Sequence, residues 1–183
     1  TLGTGVGGGV IIDGKIFSGF NGAGAELGHM IIQDGGQYCT CGRYGCWEAY
    51  ASATALIRQT RQELAVCQDS LMYKEVEGNL DKVSGKTAFS CARKGDASAK
   101  KVVDQYIHYV AVGIADLINI FQPQVLVIGG GVCKEGDYLL DPIKEYVKHN
   151  SYNKEGIPAP QLRIAELGND AGIIGAAFLG KKE

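Results

Sequence analysis

Several things are scarce in this chain of 183 residues, and each scarcity excludes something. No apolar run approaches the roughly 20 residues that span a bilayer, so no transmembrane helix is expected. No charged stretch followed by an apolar one opens the chain, which argues against a secretory signal and for a cytoplasmic protein. Formal net charge is only −2, without the basic excess of a dedicated nucleic-acid or anionic-membrane binder. Prolines number four, and neither an internal repeat nor a low-complexity tail is present. An initiator Met is missing too. The chain starts at Thr1-Leu2-Gly3, in a glycine loop whose preceding strand is reduced to Thr1 and Leu2. It therefore reads as a piece of something longer, with a processed terminus as the alternative. The remainder, 45% hydrophobic and 21% charged, describes a globular chain long enough to bury a core.

What is abundant is glycine: 27 residues, of which 14 fall in positions 1–46. A local excess asks for backbone lying close to a ligand or turning through positive φ. Gly3, Gly5 and Gly8 match a formal G-x-G-x-x-G. The dinucleotide version of that motif needs a helix next, and here Val10-Ile11-Ile12-Asp13-Gly14 reads as strand and turn. What remains is a strand–turn–strand whose N–H groups and Thr4 hydroxyl suit phosphate oxygens. A merely tight turn is the alternative. Gly85-Lys86-Thr87 resembles the end of a Walker A loop, but Leu80 occupies its first glycine position, which excludes it.

Periodicity places these loops. Asp13-Gly14 joins two apolar runs as a hairpin. Residues 18–28 form a glycine-rich loop, Leu27–Ile32 reads as strand, and 33–46 as a polar Gly- and Cys-rich loop. A helix is predicted from Trp47 to about Leu64, whereas 67–86 has too little periodicity to assign. Asp96 caps a long helix to about Gln122, ended by Pro123. Then follow a short buried strand, Val125–Ile128, a helix near 138–148, a strand at 162–165 and a last helix near 171–179. The class is α/β, with a mixed sheet packed with helices.

Three of six cysteines, Cys39, Cys41 and Cys46, lie within eight residues, with Gly42 and Gly45 at the bends. One divalent ion can collect three thiolates from so compact a loop, and tetrahedral zinc wants a fourth ligand. Of the three histidines, His29 is ten residues upstream of Cys39, while His108 and His149 fall on helices. The predicted set is His29, Cys39, Cys41 and Cys46; reduced buried cysteines or a redox pair are the alternatives. Cys67, Cys91 and Cys133 read as small core residues. Glu26 and Glu48 flank the cluster and could present acceptors to a polyol, each carboxylate serving two hydroxyls.

The glycine hairpin, Glu26-Leu27-Gly28-His29, Cys39-x-Cys41-Gly42-x-x-Gly45-Cys46-x-Glu48 and Gly129-Gly130-Gly131-Val132, in that order, resemble the ROK family of bacterial sugar kinases and sugar-responsive repressors. The resemblance covers all 183 residues and implies the C-terminal lobe of the actin-like ATPase and sugar-kinase fold, with a zinc loop at about 29–46. It implies phosphate contacts at Thr4 and Gly5, an adenosine-side loop at Gly129, Gly130 and Gly131, and a nucleotide-side turn at 168–172. Sugar contacts fall on Glu26, His29 and Glu48, and structural zinc on His29, Cys39, Cys41 and Cys46. The implied reaction is ATP- and Mg²⁺-dependent phosphorylation of a hexose, glucose foremost, by a homodimer or larger homo-oligomer. The long helix from Asp96 offers itself as partner surface. The family's Asp-x-Gly-Gly-Thr loop and its Asn-Asp pair with the catalytic aspartate do not occur here; no carboxylate precedes Asp13. The N-terminal lobe is therefore expected elsewhere, and the chain alone is expected not to turn over. A repressor's sugar-sensing domain is the alternative, and only that one would bring nucleic acid as a partner.

Overall fold

A computed structural model describes residues 1–152, 157–168 and 170–179. Its longest element is α5, Ala97–Phe121, and the rest is arranged around it. Asp96 starts α5: one carboxylate oxygen accepts from Ala99 N at 2.7 Å and the other from Leu71 N at 2.6 Å. Satisfying two backbone donors with one side chain fixes the helix start and the neighbouring segment together. The helix ends where Gln122 turns left-handed before Pro123. Val102, Val103, Tyr106, Val110, Ile114, Leu117 and Ile118 are buried, so the three-and-four spacing seen in the sequence is the core face. That burial leaves the solvent side of α5, with Lys100, Lys101, Asp104 and Gln105, as the face open to the expected partner.

Around α5 pack α2 (Ala53–Val66), α4 (Thr87–Arg93) and α6 (Asp137–Asn150), with α3 (Leu71–Glu75) against α4. The helix predicted from Trp47 is broken: α1 spans only Glu48–Ala51, and α2 restarts after Ser52. Ser52 is extended, and its hydroxyl accepts from Ala55 N at 3.0 Å, so it caps a new helix rather than continuing the old one. The break is held from both sides, by Tyr106 Oη donating to Ala51 O at 2.8 Å and by Ala53 N donating to Gly3 O at 2.8 Å.

Among the described residues, the strands form two small sheets. β1 (Ile11–Ile12) pairs antiparallel with β2 (Lys15–Ile16), and β3 (Val125–Ile128) pairs parallel with β4 (Gln161–Ile164). β3, read as buried, leaves Val125 and Val127 exposed because only one of its edges is paired here. The strand predicted at Leu27–Ile32 is a 3₁₀ turn, Leu27–His29, in which His29 N donates to Glu26 O and Met30 N to Leu27 O. The last helix, α7 (Asp170–Leu179), lies close to its expected span, while Asn169 of the predicted nucleotide-side turn falls outside the described residues. Among the described residues, no helix is long and apolar enough to cross a membrane.

Trp47 joins the loops to this helical frame. Its indole N–H donates to Tyr109 O at 2.8 Å, and its ring lies flat against α5 at Gly113. A Cβ at Gly113 would come within 2.2 Å of the indole, so only glycine permits the contact. Gly113→Ala is expected to destabilise the chain by roughly 1–3 kcal/mol through overpacking, read as a lowered urea midpoint at unchanged slope.

Candidate functional site

The loop between the Leu27–His29 turn and α1 folds back on itself. Trp47 N donates to Met30 O at 2.7 Å, Ile32 N to Gly45 O at 3.0 Å and Gly45 N to Gln37 O at 2.8 Å. Tyr50 of α1 braces it by accepting from Gln37 N at 2.5 Å. At its tip, Tyr38 and Tyr44 pair across an isolated bridge with their rings edge to face. Inside the tip, Cys39 N donates to Arg43 O and Gly42 N to Cys39 O, a tight turn that Gly42 makes at φ 89°.

This folding gathers His29, Cys39, Cys41 and Cys46, whose ligand atoms all lie within 4.8 Å of one another. Cys41 Sγ and Cys46 Sγ are 3.6 Å apart, and Cys39 Sγ is 3.7 Å from His29 Nδ1. Tetrahedral zinc with Zn–S bonds of about 2.3 Å separates its sulfurs by about 3.8 Å and a sulfur from a nitrogen by about 3.5 Å. The donor set, its spacing and the chemistry of its atoms therefore fit that ion. The thiols are unlike one another. Cys41 is exposed, and hydrogen bonds from the Arg43 backbone and guanidinium lower its pKa to about 6. Burial pushes Cys46 up to about 12. Arg43 also donates to His29 O at 3.0 Å, so one cation tethers the histidine's backbone and faces the thiols. Three thiolates around a divalent ion leave one negative charge, which a guanidinium so placed offsets.

Glu48, the first residue of α1, reaches from this cluster to the glycine hairpin. Oε2 accepts from Val6 N at 2.8 Å, while Oε1 lies 3.5 Å from Thr40 Oγ1 and 3.9 Å from Cys39 Sγ. Gly5 permits that approach, for a Cβ there would fall 2.2 Å from Oε2. In the hairpin itself, Leu2 and Val6 form an antiparallel bridge, and Thr1 and Gly7 exchange hydrogen bonds of 2.8 and 3.1 Å. Thr4 stands exposed at the turn, its carbonyl accepting from Thr54 Oγ1 at 2.8 Å. On the far side of the hairpin lies the Gly129–Gly131 loop. Leu2 N donates to Gly129 O at 2.7 Å, and Gly130, at φ 103°, sits where a Cβ would strike Leu2 O at 2.3 Å.

The residues singled out in the sequence are thus linked by successive contacts, from Gly129–Gly131 through the hairpin and Glu48 to the four-residue cluster. Glu26 is its outlying member. It is exposed at the start of the Leu27–His29 turn, with no side-chain hydrogen bond among the described residues. Arg43 and Thr40 went unnoticed in the sequence because they fill unspecified positions between the cysteines. A cation inside a loop of three thiols was the available signal for Arg43.

Comparison with known proteins bears on the family and the fold. The model of the ROK family matches residues 1–183. The glucokinase of Halalkalibacterium halodurans is 41% identical over 184 aligned residues, covering 100% of this chain and 55% of the relative. Among solved structures, a ROK family glucokinase from Streptomyces griseus in complex with glucose and AMPPNP superposes with a TM-score of 0.87 at 38% identity, over 97% of this chain and 58% of that one. A ROK family transcriptional regulator, a homolog of the E. coli MLC protein, gives 0.77 at 29% identity, covering 97% of this chain and 43% of the regulator. The chain thus spans little more than half the length of the kinases it matches. On its sequence and on its fold, it belongs to the ROK family.

Proposed function

We propose that this chain is the C-terminal lobe of an ATP-dependent hexose kinase, with glucose as the first substrate to test. The observation that carries the reading is the adjacency of two kinds of surface. A pair of backbone-rich loops, suited to phosphate and nucleotide, lies one hydrogen bond away from a carboxylate beside a Cys₃His cluster. Support also comes from the S. griseus glucokinase, whose complex holds glucose and an ATP analogue.

In this reading Glu26, His29 and Glu48 receive the sugar. Glu48 divides its two oxygens, one satisfied by Val6 N and the other, weakly held, free to accept from a hydroxyl. Thr4 and Gly5 meet the transferring phosphates and Gly129, Gly130 and Gly131 the adenosine side, with Mg²⁺ offsetting phosphate charge when ATP binds. The base that takes the hydroxyl proton belongs to the N-terminal lobe, so the isolated chain is inactive. His29, Cys39, Cys41 and Cys46 hold a structural zinc, because four protein ligands leave no position for water. The intact protein is a cytoplasmic homo-oligomer acting at the entry of sugar into metabolism.

The alternative is the sugar-sensing domain of a repressor, favoured by the likeness to the ROK transcriptional regulator. The intact hairpin and its contact with Gly129 favour the kinase, since a protein that only senses sugar has less need of a built nucleotide side.

The intact protein should form glucose 6-phosphate from glucose and ATP in a coupled assay, whereas sugar-dependent DNA binding without turnover would select the repressor. In that assay Glu48→Gln keeps an acceptor for Val6 N but loses the charge. Its KM for sugar should rise about tenfold or more, the worth of a charged hydrogen bond (roughly 1.5–3 kcal/mol), with KM for ATP nearly unchanged; equal losses for both would move the sugar elsewhere. Purified chain should carry about one zinc, and Cys41→Ser should lose it and melt roughly 4–8 °C lower, as expected for a cost of about 2 kcal/mol at this size. In chelator-treated chain, alkylation of Cys41 should accelerate as pH rises through about 6, where its thiolate forms. Cys46 should stay protonated and unreactive across neutral pH, and zinc should protect both.

A further inference from the structure

Two thiols of the cysteine loop lie 3.6 Å apart in opposite surroundings. Cys41 is exposed, whereas Cys46 is fully buried. Five positions separate them, and between them Gly42 and Gly45 turn at φ 89° and 83°. Backbone of that kind can close the remaining distance between the sulfurs. Cys39 is placed differently: its Sγ turns to His29 Nδ1 at 3.7 Å and to Glu48 Oε1 at 3.9 Å. Only Thr40 stands between Cys39 and Cys41, a spacing at which a disulfide ring is strained.

A cation stands beside the exposed thiol. The Arg43 guanidinium hydrogen-bonds Cys41 and donates to His29 O at 3.0 Å, so it is fixed from two directions. The remaining cysteines are unlike this one. Cys91 and Cys133 are buried in the helical core. Cys67 is half-buried, and its neighbour is a carboxylate, Asp69 Oδ1 at 3.1 Å. Among the described residues, an exposed thiol, a guanidinium donor and a second thiol within reach meet only at Cys41. That combination is what oxidation by a peroxide selects.

We propose that Cys41 and Cys46 form a peroxide-responsive pair: a peroxide oxidises Cys41 with Arg43 as donor, Cys46 closes a disulfide onto it, and the cluster releases its zinc. The proposal rests on the zinc reading above. As zinc ligands the thiols are thiolates. A lone pair on Cys41 Sγ attacks one oxygen of hydrogen peroxide and the O–O bond breaks. The departing hydroxide, to which Arg43 donates, takes a proton to become water, and Cys41 is left as a sulfenic acid. Cys46 Sγ then attacks that sulfur, the S–O bond breaks, and a second hydroxide leaves as water. Two thiolates lose two electrons, the peroxide gains them, and solvent supplies two protons. His29 and Cys39 remain, two ligands where tetrahedral zinc wants four, so the ion leaves. A zinc-bound thiolate keeps lone pairs on its exposed side, which a peroxide is small enough to reach where a bulky alkylating reagent is held off. Because Cys46 leads into Glu48 and His29 belongs to the same cluster, the sugar side of the site loosens while the phosphate hairpin is spared.

The test treats the zinc-loaded intact protein with hydrogen peroxide and follows released metal with a chromogenic chelator. About one zinc per chain should be released, together with a peptide cross-linked between Cys41 and Cys46. Dithiothreitol with added zinc should restore both thiols and the bound metal. Protein that holds no zinc before treatment ends the zinc reading, and this proposal with it. Zinc-loaded protein that keeps its metal and a reduced Cys41 under peroxide overturns this proposal alone. So does a cross-link to Cys39, or oxidation of Cys41 beyond the sulfenic acid without a disulfide. Arg43→Met retains all four ligands and should slow peroxide-driven release by about tenfold or more, with Arg43→Lys less affected. Release to a strong chelator without peroxide is measured alongside, since a mere brace, once removed, would speed both. Peroxide-driven release as fast in Arg43→Met as in the unaltered protein, or faster, overturns the part given to Arg43.

Discussion

The hydrogen bond from Val6 N to Glu48 Oε2 is the joint on which the site depends. It is made across 42 residues, between a hairpin with almost no side chains to pack and the first turn of a helix anchored in the core. Five of the seven residues from Gly3 to Gly9 lack a side chain, so such a hairpin cannot be positioned by burial; it must be held by its backbone. Ala53 N on Gly3 O and Thr54 Oγ1 on Thr4 O add two further ties from the start of α2. All three come from the α1–Ser52–α2 corner, which is why the break at Ser52 matters more than its short length suggests. A continuous helix there would turn these groups away from the hairpin.

The same corner carries the cluster. Cys46 and Trp47 lead directly into α1, and Tyr50 in its single turn braces the cysteine loop through Gln37 N. One short helix therefore sets the distance between the proposed phosphate side and the proposed metal and sugar side. A loop of three cysteines and many glycines has little core of its own, and an ion bound by His29, Cys39, Cys41 and Cys46 would supply the cohesion that apolar packing supplies elsewhere.

The parts of this arrangement set by local signals were legible in residue types. The 3.6-residue periodicity from Asp96 to Phe121 located the central helix, and Asp13-Gly14 located the hairpin, because both signals are local. The Cys₃His set was legible because few other residues could complete it, and its gathering into one cluster agrees with that choice. The short pieces were not legible. The apolar residues of 27–32 look like a strand, but a turn bonded through Glu26 O and Leu27 O replaces it. Ser52, read as an ordinary helical residue, is a cap because Tyr106 and Gly3 take the carbonyl and amide on either side of it. The break at Ser52 depends on partners 50 and 55 positions away, which no window of sequence contains. Glu48 was singled out for a sugar, yet the bond it makes here, to Val6 N, belongs to a backbone amide that no side-chain pattern announces.

One feature of the fold also makes this joint observable. Trp47 is the only tryptophan among these 183 residues, and it is 4% exposed, wedged between the cysteine loop and Gly113 of α5. Its neighbours in sequence are Cys46 of the cluster and Glu48 of the hairpin clamp. Any rearrangement that loosens the cysteine loop, shifts the hairpin or lifts α1 from the core must alter the surroundings of that one indole. The emission of a single native chromophore therefore reports on the joint between the two halves of the site, with no label attached.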